Sequence, residues 1–256
     1  MTFEFLFLFL AGFFGGTLNS IAGGGTFITF PALLFVGIPP IIANATNTFS
    51  SSPGYMSGLY AFRKDLKPHY KSIPIYIFCS CIGGSVGAWL LMATPEKVFS
   101  SIIPWLMFLA TLIFIFGAGL NKAFSALGKK NESISVIGKI LTPVILVFVC
   151  FYGGFFNAGF GIIVLSYLAL AGHTNIAAMN GLKLLISFWV SIFAIILFAI
   201  NDVIAWNEGF TVLLGTVTGG YLAARISRFL PQNYVRAFVI AVSCSITLYF
   251  FYDFYL

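Results

Sequence analysis

Apolar residues fill this chain in ten blocks, at about 3–22, 26–37, 39–62, 73–93, 97–120, 140–158, 160–172, 174–200, 208–224 and 233–252. Polar stretches separate them: "RKDLKPHYK" at 63–71, "TPEK" at 94–97, "NKAFSALGKKNESISVIGK" at 121–139, "ND" at 201–202, and the region from Arg225 to Arg236. A helix rises ~1.5 Å per residue, so crossing a hydrocarbon core of ~30 Å takes ~20 apolar residues. Several blocks meet that length, and together the blocks occupy nearly the whole chain. The pattern predicts an all-α, polytopic membrane protein. Blocks 26–37 and 160–172 do not fit a plain crossing, because a helix of about twelve residues reaches ~18 Å, little more than half the bilayer.

The blocks also repeat. Gly15-Gly16 with Asn19 is matched by Gly153-Gly154 with Asn157, Gly37 by Gly172, and "GGSVGAWLLMATP" (83–95) by "GGYLAARISRFLP" (219–231). The offsets of 138, 135, 136 and 136 keep one register along the chain. Residues 1–120 and 139–256 therefore read as two membrane repeats, joined by a cytoplasmic connecting loop at 121–138.

The basic residues orient these repeats, because cytoplasmic loops collect Lys and Arg. Loop 63–71 holds Arg63, Lys64, Lys67 and Lys71, whereas its counterpart 201–208 holds Asp202 and Glu208 and no base. Segment 94–97 has one Lys, whereas its counterpart carries Arg225, Arg228 and Arg236. The bias changes sign between halves, the signature of inverted repeats. Each half then needs an odd number of crossings. Three spanning helices supply it when 3–37 forms a broken, re-entrant helical hairpin that enters and leaves by one face. The alternative is four plain crossings per half, with 26–37 as a loop.

Composition narrows the function classes. The chain is 60% hydrophobic and 8% charged, against about 25% charged in soluble domains. Its net charge of +6 does not point to nucleic acid, since twelve of the thirteen Lys and Arg sit between apolar blocks or near their ends. The first block lacks a basic leader and is expected to be an internal segment, not a cleavable signal. Cys79, Cys81, Cys150 and Cys244 lie within apolar runs without metal-site spacing, so they read as small core residues. No metal or other cofactor is expected. Without a His cluster, paired carboxylates, HExxH or GxSxG in the apolar part, an enzyme is disfavoured.

The candidate chemistry lies at two breaks, "NSIAGGGTF" (19–27) and "GGFFNAGFG" (153–161). Non-helical backbone at membrane depth costs several kcal/mol per unpaired group unless protein or water satisfies it. Gly23, Gly24 and Gly25 are expected to turn through conformations closed to other residues, and Thr26 to cap the short helix that follows. Free N–H groups and the dipole at that helix start favour an anion. Asn19 and Ser20 add polar groups, and Asn157, Gly159 and Gly161 repeat the arrangement. Gly83-Gly84 and Gly219-Gly220 have no polar companions and read as helix-packing sites.

Lys183 lies about nine residues into the 174–200 block, ~14 Å from its end. An uncompensated Lys there costs at least ~2.5 kcal/mol. All seven carboxylates sit at block ends or in loops, so a bound anion is the expected counter-charge. Asn44, Thr46, Asn47 and Thr48 fall at similar depth, with Asn180 near the corresponding place in the second half, and some are expected to line a cavity. His173, beside Gly172, is expected to be structural.

With these residues assembled, the chain resembles the TauE/SafE sulfite exporter family of membrane permeases. The resemblance covers nearly the whole chain. It rests on "GFFGGTLNSIAGGGTFITFPALLFVGIPPIIANATNT", on the weaker second copy "GGFFNAGFGIIVLSYLALAGHTNIAAMNGLK", and on the paired "GG…P" segments. The second copy departs at Gly181-Leu182, before Lys183, where a Thr-Ser pair is expected. The family implies transport of small anions, often sulfur oxyanions or organosulfonates, across the bacterial inner membrane. A secondary transporter working by alternating access is the leading expectation, and a passive anion channel is the alternative. The expected partners are a small anionic substrate and membrane lipid, with no nucleic acid; a homo-oligomer is compatible with the pattern.

Overall fold

Ten apolar blocks become ten α-helices among the described residues of the computed structural model, which are 2–21, 24–130, 136–226 and 232–255. They are α1 (Thr2–Ile21), α2 (Thr26–Phe35), α3 (Pro40–Ala61), α4 (Ile73–Ala93), α5 (Glu96–Lys130), α6 (Val136–Phe156), α7 (Phe160–Leu170), α8 (Ile176–Ile200), α9 (Trp206–Ile226) and α10 (Gln232–Tyr255), with a 3-10 turn at Lys67–His69. The segments 73–93, 96–117 and 176–200 are long and apolar enough to cross a membrane unaided. Helix α5 runs on to Lys130, so the first part of the polar stretch after residue 120 is helical.

The two short helices end by the same device. Gly37 and Gly172 take left-handed backbone angles, φ +86° and +88°. That lets the N–H of Ile38 reach back to Leu33 O at 3.2 Å, and that of His173 to Leu168 O at 3.0 Å. Both are Schellman closures, which a side chain at the glycine would strain. The next helix, α8, starts on Asn175, whose side chain accepts from the N–H of Ala178 at 3.1 Å.

Polarity runs inward. Thr29, Asn44, Thr46, Asn47, Thr48 and Ser50 are buried around α3, while Phe3, Phe78, Trp89, Trp105, Phe116 and Phe148 are exposed. In water this would be a large apolar surface; in a bilayer the tails solvate it, and the buried polar groups bind one another.

Glycines decide how closely the helices approach. A Cβ on Gly16 would run into the Thr216 carbonyl, and one on Gly219 into that of Phe13, locking α1 onto α9. A Cβ on Gly154 would meet Gly84, and one on Gly83 the Val147 carbonyl, locking α6 onto α4. Gly220 is different, with the nearest backbone 3.6 Å away. Further pairs are α3 with α8 and α9, α4 with α8, and α5 with α7 and α10, while α2 touches α10 more lightly. Exchanging the first five helices for the last five, in order, turns α1–α9 into α6–α4, α3–α9 into α8–α4, and α5–α7 into α10–α2. At the self-paired α5–α10 contact the hydroxyls of Thr111 and Thr247, 136 residues apart, lie 3.1 Å from each other.

Candidate functional site

At the first break Thr26, Thr29 and Asn47 form a polar knot. Thr29 Oγ1 donates to Asn47 Oδ1 at 2.5 Å, and Asn47 Nδ2 donates to Thr26 Oγ1 at 3.5 Å. Thr26 does not cap α2. Gly25 is the N-cap, and because it already has helical angles (φ −57°, ψ −35°) Thr26 falls inside the first turn with its side chain turned to Asn47. Nor does Gly25 serve a special turn. It is needed because a Cβ there would strike the Gly15 carbonyl and Asn19 Cβ. Gly24 O and Gly25 O take the N–H groups of Phe27, Ile28 and Thr29, so most early donors of α2 are used internally. Gly24 is buried. Gly23 and the side chain of Ser20 lie outside the described residues.

The second break is open. Asn157 and Gly159 take positive φ, +20° and +70°, and at Gly159 the left-handed angle calls for glycine. The Tyr152 hydroxyl braces the turn by donating to Ala158 O at 2.6 Å. Carbonyls of Asn157 and Gly159 take the N–H groups of Phe160, Ile162 and Ile163, while no described carbonyl takes that of Gly161. Asn157 is 5% exposed, yet its Nδ2 has no acceptor. Against Gly161 runs the stem of Lys183: a Cβ on Gly161 would sit 3.4 Å from Lys183 Cδ. No described group hydrogen-bonds or ion-pairs with the Lys183 ammonium.

The 136-residue offset that relates Thr111 to Thr247 also relates Gly25 to Gly161, Asn44 to Asn180 and Asn47 to Lys183. Equivalent positions therefore do different work. Asn47 binds the two Thr side chains at the start of α2, whereas Lys183 brings an amine with no described partner to the start of α7, where the helix dipole is already positive. Asn180 is one turn from Lys183 on the same side of α8, with no hydrogen bond to the other candidates. Asn44 Nδ2 donates to Phe155 O at 2.9 Å, tying α3 to the second break, and its buried Oδ1 has no donor. The breaks approach each other where the Phe30 and Phe156 rings meet edge to face at 5.6 Å.

Two residues at these breaks carry no sequence signal. Tyr152 and Tyr55 are aromatics in apolar helices, indistinguishable there from core residues. The Tyr55 hydroxyl adjoins the Asn157 side chain, and Gly54 before it faces Asn19, whose Nδ2 would lie 3.9 Å from a Cβ there.

The chain's two histidines meet in space. The His69 and His173 rings are 4.9 Å apart, and the Tyr76 hydroxyl lies 3.0 Å from His173 Nε2. Burial, and then the neighbouring His69, push the His173 pKa down. A group whose folded pKa is depressed stays neutral in the fold while the unfolded chain takes up a proton near pH ~6.5. Stability is therefore expected to fall as pH drops through ~6.5 and to level off below the folded pKa. Melting temperatures between pH 8 and 5 should show that decline, and His173→Gln should flatten it.

Three comparisons bear on this arrangement. The model of a family described as Sulfite exporter TauE/SafE matches residues 8–250. A "Probable membrane transporter protein" of Haemophilus influenzae is 28% identical over 247 residues, covering 96% of this chain and 94% of the relative. "Probable membrane transporter protein ORF9" of Sinorhizobium sp is 28% identical over 243 residues, covering 94% and 90%. "Probable membrane transporter protein YfcA" of Escherichia coli K12 is 26% identical over 247 residues, covering 96% and 89%. No solved structure matches.

Proposed function

The chain belongs to the TauE/SafE sulfite exporter family, and from that premise we propose that this multi-pass membrane transporter exports a small oxyanion across a bacterial inner membrane. The substrate is a sulfur oxyanion or organosulfonate, held near the second break and carried by alternating access rather than transformed. One observation carries the reading. Lys183, in the membrane-length helix α8, brings its stem against Gly161 at the start of α7, with no described carboxylate to neutralise it. A cation at that depth is costly, and a helix start adds positive potential. An anion relieves both, and the free N–H of Gly161 and Nδ2 of Asn157 are donors for its oxygens.

Inverted repeats supply the movement. The exchange of helix pairs between halves supports them, as does the Thr111–Thr247 contact between equivalent residues. So do the ends of α3. Near its start Thr46 Oγ1 accepts from the N–H of Ala205, at 3.0 Å, in the acidic 201–208 loop. Beyond its far end lies the basic 63–71 loop, with His69 against His173. In oriented vesicles, a cysteine replacing Lys67 should react with an impermeant maleimide only from the cytoplasmic side, and one replacing Asp202 only from outside. Labelling of both from one side would contradict the inverted arrangement.

The substrate class is tested by thermal shift of the purified protein with sulfite, sulfate, thiosulfate, sulfoacetate and taurine. At least one sulfur oxyanion or sulfonate should raise the melting temperature in a saturable way that chloride at equal ionic strength does not reproduce. A panel with no such shift would contradict the assignment.

A further inference from the structure

The two breaks belong to different halves of the chain, yet an asparagine of each lies beside α3. A Cβ on Gly54 of α3 would lie 3.9 Å from Asn19 Nδ2, an ordinary contact. Asn157 adjoins the hydroxyl of the next residue, Tyr55. Asn157 is 5% exposed and its Nδ2 makes no hydrogen bond of ordinary geometry; no described group accepts from the Tyr55 hydroxyl. The Tyr55 hydroxyl and Asn157 Nδ2 therefore lie side by side with no described acceptor beyond each other, and Nδ2 is buried, where unmade hydrogen bonds are expensive.

We propose that Tyr55 is a substrate-binding residue, whose hydroxyl, with the carboxamide nitrogen of Asn157, holds the oxygens of a bound oxyanion beside α3. This rests on the anion reading given above and adds a residue to it. Depth agrees with the assignment. Tyr55 is six residues before the end of α3 at Ala61, and Lys183 seven residues after the start of α8 at Ile176. Those ends are the ones followed by the basic loop and preceded by His173, so both residues lie ~10 Å in from the same side. Helices α3 and α8 pack together. Charge and hydrogen bonding are divided: Lys183 supplies the counter-charge, and Tyr55 with Asn157 supplies neutral donors that an oxyanion satisfies and chloride, a single spherical acceptor, satisfies poorly. Tyr55 thus helps to select oxyanions over halide.

The test measures sulfite binding to purified full-length protein by calorimetry, with chloride as competitor. Tyr55→Phe keeps the ring and removes only the hydroxyl. It should bind sulfite roughly tenfold more weakly, the size of one hydrogen bond to a charged group, with an unchanged melting temperature and easier competition by chloride. Asn157→Gly, which tolerates the positive φ there, should show the same loss of sulfite affinity and decides the matter should Tyr55→Phe not fold. Wild-type sulfite affinity in these folded variants, with Lys183→Gln losing affinity, would overturn the role of Tyr55 and Asn157 and leave the anion reading standing. Wild-type affinity in all three would overturn both.

Discussion

Lys183→Gln will weaken sulfite binding 10- to 100-fold, about 1.5–3 kcal/mol, the range for a hydrogen bond to a charged group. Lys183→Glu will abolish binding, because it adds repulsion. Neither loss will come from misfolding. Lys183 makes no hydrogen bond or ion pair to a described group, and of the Cγ and Cδ atoms that face Gly161, Gln keeps the Cγ methylene and places its amide carbon at Cδ. Removing a buried cation that lacks a protein partner should leave the melting temperature of the ligand-free protein unchanged or raised. Calorimetric titration with sulfite, paired with ligand-free melting, reads both quantities on one preparation. Undiminished affinity in folded Lys183→Gln would make the lysine a structural residue.

The largest effect on stability is expected at the glycine crossings. Gly16→Ala puts a methyl group into the Thr216 carbonyl, and Gly154→Ala puts one into Gly84. Backbone cannot retreat as a side chain can, so α1 must part from α9, or α6 from α4. Overpacking of this kind costs about 1–3 kcal/mol. Gly220→Ala is the control, since its new Cβ would lie 3.6 Å from the Gly16 carbonyl, an ordinary contact. Thermal melting should show clear losses for the first two and almost none for the third. Equal melting of all three would mean that the helices are not held at this spacing. Gly25→Ala belongs with the destabilising group, because its Cβ would meet the Gly15 carbonyl; it is a poor probe of binding.

The ten helices were legible because block length and polar punctuation follow directly from the hydrocarbon core. The matched glycines were legible too, and Gly37 and Gly172 perform one task, the left-handed closure of α2 and α7. Partner choice was not legible. Gly15-Gly16 and Gly153-Gly154 look like a motif of the break, but Gly16 and Gly154 serve crossings with helices of the opposite half, a long-range fact that spacing within one half does not carry. Within the breaks the residue types were readable and their division of labour was not. "GGGTF" advertises more flexibility than "NAGFG", yet Gly25 has ordinary helical angles and left-handed geometry falls at Gly159. Asn47 and Lys183 stand at equivalent positions, and only the hydrogen bonds to Thr26 and Thr29 reveal that Asn47 is engaged by the protein itself. Tyr55 was hidden because an aromatic in an apolar helix is ordinarily core, and its neighbour Asn157 lies far along the chain.

The account stands most directly on transport itself. Purified protein in sealed liposomes, preloaded with unlabelled sulfite and diluted into radiolabelled sulfite, should accumulate label transiently and saturably by counterflow. The folded Lys183→Gln variant should accumulate far less. Accumulation no greater than in protein-free liposomes for sulfite and for every sulfonate of the thermal-shift panel, from protein that is folded and inserted, would contradict the claim that this chain is an anion carrier.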